Sequence, residues 1–263
     1  MKSIFTEQQQ SKARFIEDNP CAKISGLISN DIRSLVTAWC YYSGKIEGNT
    51  YTLVETDALL NSGITSAKDY GDAKMLKNLY NTFVQELEYI TKRGHKEDIT
   101  MQTLYRVHRT ITAELLDPSA CGALRDVPVR VTGTSYIPPR EKVDIMYELN
   151  QVLEEQHSIE DPIERSVFLH CNIARIQPFR DGNKRTSRMI ESIVLMNSDI
   201  IPVYSVSKED IKSYKDAIIH FYETMDYSAY ADYSLNQQIA RINEIAPAKY
   251  QYQGEGLSFG LSR

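Results

Sequence analysis

Ile176-Gln177-Pro178-Phe179-Arg180-Asp181-Gly182-Asn183-Lys184-Arg185-Thr186-Ser187-Arg188 joins two stretches with helical spacing. Pro178 ends the first, because the residue before a proline avoids the helical region. A second helix is expected to begin near Asn183. The glycine-containing turn between them leaves backbone N–H groups free at a helix N-terminus. Such an end attracts anions through its orphan donors and the positive pole of its dipole. Arg185 and Arg188 lie three apart and share a face of the first turns. Two guanidinium forks there suit phosphate oxygens. Asp181 sets one carboxylate at the edge, and a magnesium ion bridging carboxylate and phosphate would explain that pairing. Spacing alone also allows a plain helix start: a capping Asp, a turn glycine and two surface arginines.

Working outward, most of the chain reads as helix. On the N-terminal side, Ile32, Leu35, Val36, Trp39, Tyr42 and Ile46 follow a spacing of three and four from Asp31 to Ile46. Gly48-Asn49 stops that helix. Thr52 with Glu55 has the form of a capping box and starts another. A long helix is expected from about Ala67 to Arg93, burying Tyr70, Ala73, Leu76, Leu79, Phe83, Leu87 and Ile90, and closed by Gly94. The next runs from about Met101 to Leu116 and stops before Asp117-Pro118. Val127, Val129 and Val131 then alternate, a strand signal bounded by Gly133 and Pro138-Pro139, which predicts a short β-hairpin or flap. Helices resume around 141–156, 162–176, 183–196, 209–225 and 232–245, with Ser207 as N-cap of the fourth of these. The tail from Gln251 to Arg263 holds three glycines and is expected to be loose.

The balance of 42% hydrophobic and 25% charged residues is that of a chain able to bury a sizeable core. A formal net charge of −5 argues against broad nucleic-acid binding, which needs a basic face. No run approaches the roughly 18–20 apolar residues of a membrane span. The N-terminus turns polar at once, unlike a secretory signal. Cys21, Cys40, Cys121 and Cys171 show no close pairing, so reduced thiols and a cytoplasmic setting are expected. His95, His108, His157 and His220 read as structural or surface residues. His170, two turns and about 10 Å before Gln177, is too distant to share its proton. Tyr214 is read as core, with an adenine pocket as the rarer use of such a ring.

The stretch 177–188 resembles the signature of the Fic family, His-x-Phe-x-(Asp/Glu)-Gly-Asn-(Gly/Lys)-Arg-x-x-Arg, at every position but the first. Ser43-Gly44-Lys45-Ile46-Glu47-Gly48-Asn49 is similar to that family's inhibitory motif, (Ser/Thr)-x-x-x-Glu-(Gly/Asn). Residues 129–139, ending Tyr136-Ile137-Pro138-Pro139, resemble its flap. The likeness spans about residues 31 to 235. It implies a mainly α, Fic-type helical fold with a short β-hairpin flap, binding ATP and Mg and transferring AMP to a Ser, Thr or Tyr hydroxyl of a protein, including itself. It divides the chain into an N-terminal helical region (1–95) with the inhibitory motif at 43–49, a core (96–235) with flap 127–139 and signature loop 177–188, and a C-terminal helix end and tail (236–263).

Carried over by position, Asp181 would hold the metal. Gly182, Asn183 and Lys184 would form the anion nest, and Arg185 and Arg188 would hold phosphates. Phe179 would anchor the loop. Glu47, with Ser43, would reach Arg188 and block the seat of the γ-phosphate. Val129, Val131, Tyr136 and Ile137 would dock the target. Gln177 stands where the family has its general-base histidine, and a carboxamide has no basic lone pair at neutral pH. Three readings follow: an adenylyltransferase scaffold weakened by Gln177, a non-catalytic nucleotide-binding pseudoenzyme, or, because Lys184 also suits the Doc-like group, a protein phosphotransferase. The target and the oligomeric state, homo-oligomer included, stay open.

Overall fold

Apolar residues at three-and-four spacing form helices along almost the whole chain. The structure is a computed structural model and describes residues 2–65, 67–93, 98–204 and 208–254. Gly94, His95, Ser207 and the tail beyond Gly254 lie outside the described residues. Among the described residues there are ten α-helices: α1 (Glu7–Asp18), α2 (Ser29–Ile46), α3 (Leu53–Ser62), α4 (Tyr70–Arg93), α5 (Met101–Thr112), α6 (Lys142–Glu155), α7 (Pro162–Ile176), α8 (Asn183–Asn197), α9 (Lys208–Thr224) and α10 (Ser228–Ile245).

The centre is the α7–α8 pair, buried on nearly every side. Asp161 caps α7 by accepting from the N–H groups of Ile163 and Glu164, with Pro162 at the first position, where its missing N–H costs nothing. One apolar cluster joins α2, α4, α5, α7 and α8 around Trp39, Phe83, Leu104, Phe168 and Phe179. A second joins α1, α7, α9 and α10 around Ile16, Tyr214, Phe221 and Tyr230. α2 is pinned to α8 by Trp39, whose Nε1 donates to Ser192 Oγ at 3.0 Å. All four cysteines are free, Cys40 and Cys171 in the core. Among the described residues no helix is long and apolar enough to cross a membrane.

Four expectations need correction. Tyr70 does not join the buried face of α4. It is 66% exposed because it opens the helix, and its hydroxyl reaches Glu114. α5 ends at Thr112 rather than near Leu116, since Asn78 Nδ2 donates to the carbonyls of Ile111 and Ala113 and Glu114 turns to a φ of 61°. The helix expected at 232–245 begins a turn earlier, at Ser228. The fourth concerns the hairpin: residues 127–139 carry no β ladder. Their turn is tied to α9 instead, where Glu223 accepts from Thr134 Oγ1 at 2.9 Å, and Tyr136 packs over the Arg175 guanidinium at 4.0 Å. These side-chain anchors replace cross-strand hydrogen bonds. Among the described residues β pairing is limited to an isolated bridge between Lys23 and Ile200.

Candidate functional site

The loop from Gln177 to Gly182 lies between the end of α7 and the start of α8. Gln177 terminates α7 in the left-handed conformation (φ 51°, ψ 58°). Its side-chain amide turns back, Nε2 donating to Ala174 O at 2.5 Å. Phe179 is fully buried. Asn183 clasps the backbone of that residue, its Oδ1 accepting from Phe179 N and its Nδ2 donating to Phe179 O, both at 2.8 Å. The Asn183 side chain is therefore committed to holding the loop, and only its N–H faces the anion nest. Gly182 is left-handed (φ 76°), and no side chain caps α8. A Cβ at Gly182 would meet Thr112 Cγ2 at 2.8 Å, so glycine is required by space as well as by φ.

The two arginines of the loop differ in their free capacity. Arg185 is 3% exposed. Its Nη2 donates to Asp181 Oδ2 at 2.7 Å, while its Nε and Nη1 are buried without a partner among the described residues. Orphaned buried donors are costly, and an anion at the uncapped helix end would satisfy them. Arg188 has an acceptor at each nitrogen. Its Nε donates to Ser43 Oγ (2.9 Å), Nη1 to Tyr214 Oη (3.3 Å), and Nη2 to Ser43 O (3.2 Å) and Glu47 Oε1 (2.8 Å). Glu47 sits at the C-terminus of α2, where the helix dipole disfavours a carboxylate; Arg188 offsets that. Burial pushes the Glu47 carboxyl up, but Arg188, Arg185 and Lys184 together hold it below the usual range. Burial lowers the pKa of Lys184 against the pull of Glu47.

Asp181 extends into solvent, its side chain 60% exposed. Among the described residues no group of three metal-ligating side chains occurs. One exposed carboxylate beside an anion seat still suits magnesium, which commonly takes one or two carboxylates together with substrate phosphates.

Residues 98–195 match the profile of the Fic/DOC family. They are a Fic/DOC domain. The protein adenylyltransferase fic-1 of Caenorhabditis briggsae is 26% identical over 177 residues, 65% of this chain and 34% of that protein. The protein adenylyltransferase Fic of Drosophila melanogaster is 29% identical over 178 residues, 66% of this chain and 35% of that protein. The chain thus spans about a third of the length of these curated relatives. A solved fragment of Fic-1 from C. elegans has the same fold, with a TM-score of 0.73, 23% identity, and coverage of 90% of this chain and 70% of that one.

The Fic domain brings Gln177, Asp181, Gly182, Asn183, Lys184, Arg185 and Arg188 to one end of α8, and the end of α2 delivers Ser43 and Glu47 to Arg188. Of the flap residues, Val131 and Tyr136 pack against the second cluster while Ile137 is 62% exposed. His170 is fully buried between Glu191, 2.7 Å from its Nδ1, and Tyr214. Tyr214 is likewise buried in that core.

Two residues beneath the loop had no part in the site as read from sequence: Arg125 was not singled out, and His108 was read as a structural or surface residue. Arg125 is 1% exposed and fans into carbonyls. Its Nε donates to Gln177 O (2.6 Å), Nη1 to Val127 O (3.0 Å), and Nη2 to Pro139 O (2.5 Å) and Ile176 O (3.5 Å). It ties both ends of the flap to the loop. His108 is fully buried against Phe179 and Asp181. Burial lowers its pKa to about 4, so it is neutral. Its place between Leu104 and Ile111 on an apolar helix stripe is a legible signal. Arg125 leaves none, since its acceptors are backbone groups.

Proposed function

We propose that this Fic domain binds ATP with magnesium at the α8 N-terminus and forms the scaffold of a protein adenylyltransferase that Glu47 holds inhibited. The observation that carries the reading is the contrast, among the described residues, between Arg185, with two unpartnered nitrogens, and Arg188, whose nitrogens meet Ser43, Tyr214 and Glu47. The N–H groups of Gly182, Asn183 and Lys184 would cradle phosphate oxygens, and Arg185 would supply its spare nitrogens. Arg188 would take the γ-phosphate only once Glu47 withdraws. Asp181 would hold the metal. Magnesium, when bound, neutralises charge on the phosphates and polarises the phosphoryl group. Residues 129–137, with Val129 half-buried and Ile137 exposed, would receive an extended target segment by edge pairing.

Gln177 weakens the chemical step. Loss of a general base removes typically about 10²–10⁴ in rate, and the Gln177 amide already donates to Ala174 O. That contact also favours the second reading, a nucleotide binder without chemistry. Transfer from α- and γ-labelled ATP tests both. The chain as it stands, and with Glu47→Gly, should transfer little. Gln177→His with Glu47→Gly should move α-label, including onto itself, with a gain of about 10²-fold or more. Transfer of γ-label would instead make it a phosphotransferase. Absence of transfer by the double variant, with ATP still bound, would leave the pseudoenzyme.

A further inference from the structure

His108 touches the loop at two points from one side chain. Its Nδ1 accepts the N–H of Gly122 at 2.8 Å, which leaves the proton of the neutral ring on Nε2. Nε2 lies 2.9 Å from Asp181 O, to which it donates. The ring stacks on Phe179, with centroids 3.8 Å apart and planes at 10°. Gly122 is itself left-handed (φ 73°), and a Cβ there would meet Tyr105 O at 2.6 Å, so the turn that supplies the N–H is tightly set.

The carbonyl of Asp181 belongs to the peptide that enters Gly182. Holding that oxygen fixes the plane of the peptide and hence the left-handed turn into α8. It thereby aims the first amides of α8 and the Asp181 carboxylate. Asn183 clasps the other side of the loop through Phe179, but it does not touch Asp181 O. We propose that His108 is a positioning residue for polyphosphate binding, acting through its Nε2–H on the Asp181 carbonyl rather than through the bulk of its ring. The inference rests on the ATP-binding reading given above.

The test is calorimetric titration of magnesium-ATP, with inorganic tripolyphosphate as a second probe, into the full chain carrying Glu47→Gly and then one of three changes. His108→Phe keeps a stacking ring and removes both hydrogen bonds. His108→Asn keeps an acceptor for Gly122 and loses the donor. His108→Gln puts an amide N–H where Nε2–H stood. The Phe and Asn variants should bind ATP about tenfold more weakly or worse, as expected for one lost directional bond that preorganises a site. The Gln variant should stay within about threefold of the parent. A purely structural role would not give rescue by Gln. Binding by His108→Phe equal to the parent, or equal weakening by Gln and Phe, overturns the inference. Should His108→Phe fail to fold, the Gln and Asn pair decides by the same criterion. If the parent binds neither probe, the ATP-binding reading fails and this inference with it; if the parent binds and the variants do not differ, only this inference fails.

Discussion

Every nitrogen of the Arg188 guanidinium meets an acceptor, and among the described residues the one carboxylate that accepts from it is that of Glu47. Burial would lower the pKa of Arg188, yet Tyr214 and Glu47 raise it, so the cation persists inside the protein. The charged groups that act on the Glu47 carboxyl are Arg188, Arg185 and Lys184, and all three lower its pKa. A carboxyl depressed in the folded state binds fewer protons than in the unfolded chain. Its contribution to stability is complete above the unfolded value and is lost as pH falls through the folded one. Glu47→Gln should therefore flatten the acid side of the stability curve, measured by urea denaturation from pH 6 downward. An unchanged acid limb would mean that the ion pair contributes nothing. The pairing of Glu47 with Arg188 was legible only through the resemblance of two separate motifs, one holding Glu47 and the other Arg188. His108 and Arg125 were not legible in the same way. Their partners are backbone oxygens and an N–H, which no side-chain pattern encodes.

The helices were legible because most carry a wide apolar stripe, α7 and α8 above all. α1 was missed for a physical reason. Its inner face contains Gln9 and Lys12 beside Ala13 and Ile16, and it docks on α10 by polar contacts, Gln9 to Ser228 O and Lys12 to Asn236. The capping box formed by Thr6 and Gln9 was the available signal. The flap failed as a strand because alternation reports which side chains turn inward and cannot supply a partner strand. What orders the segment is the guanidinium of Arg125 between Val127 O and Pro139 O. Arg125→Lys keeps the charge but loses the fork. It should leave buried carbonyls unpaired and cost about 2 kcal/mol or more. It should also speed tryptic cleavage after the exposed Arg130, read by mass spectrometry. Cleavage at the parental rate would show that the flap is held by Tyr136 and Glu223 alone.

At the scale of the molecule, one contact between the N-terminal helices and the Fic domain carries the proposed inhibition. α2 lies against α8, with Trp39 on Ser192 at one point and Ser43 and Glu47 on Arg188 at another. Residues 141 to 145 positions apart in sequence are brought within hydrogen-bond distance. Spacing along the chain could not supply that approach; only the resemblance of the two motifs pointed to it. The same contact makes the proposed inhibition a property of the folded chain rather than of the loop alone. Among the described residues Arg185 keeps two buried nitrogens without a partner, while α2 brings Ser43 and Glu47 to Arg188. Titration of magnesium-ATP into the chain and into its Glu47→Gly variant tests this most directly. Removing the carboxylate should tighten ATP by about tenfold, the equivalent of about 1.4 kcal/mol, without lowering the melting temperature enough to unfold the protein. Equal affinities for the two proteins would contradict the inhibitory role of Glu47, and absence of ATP binding by both would contradict the site itself.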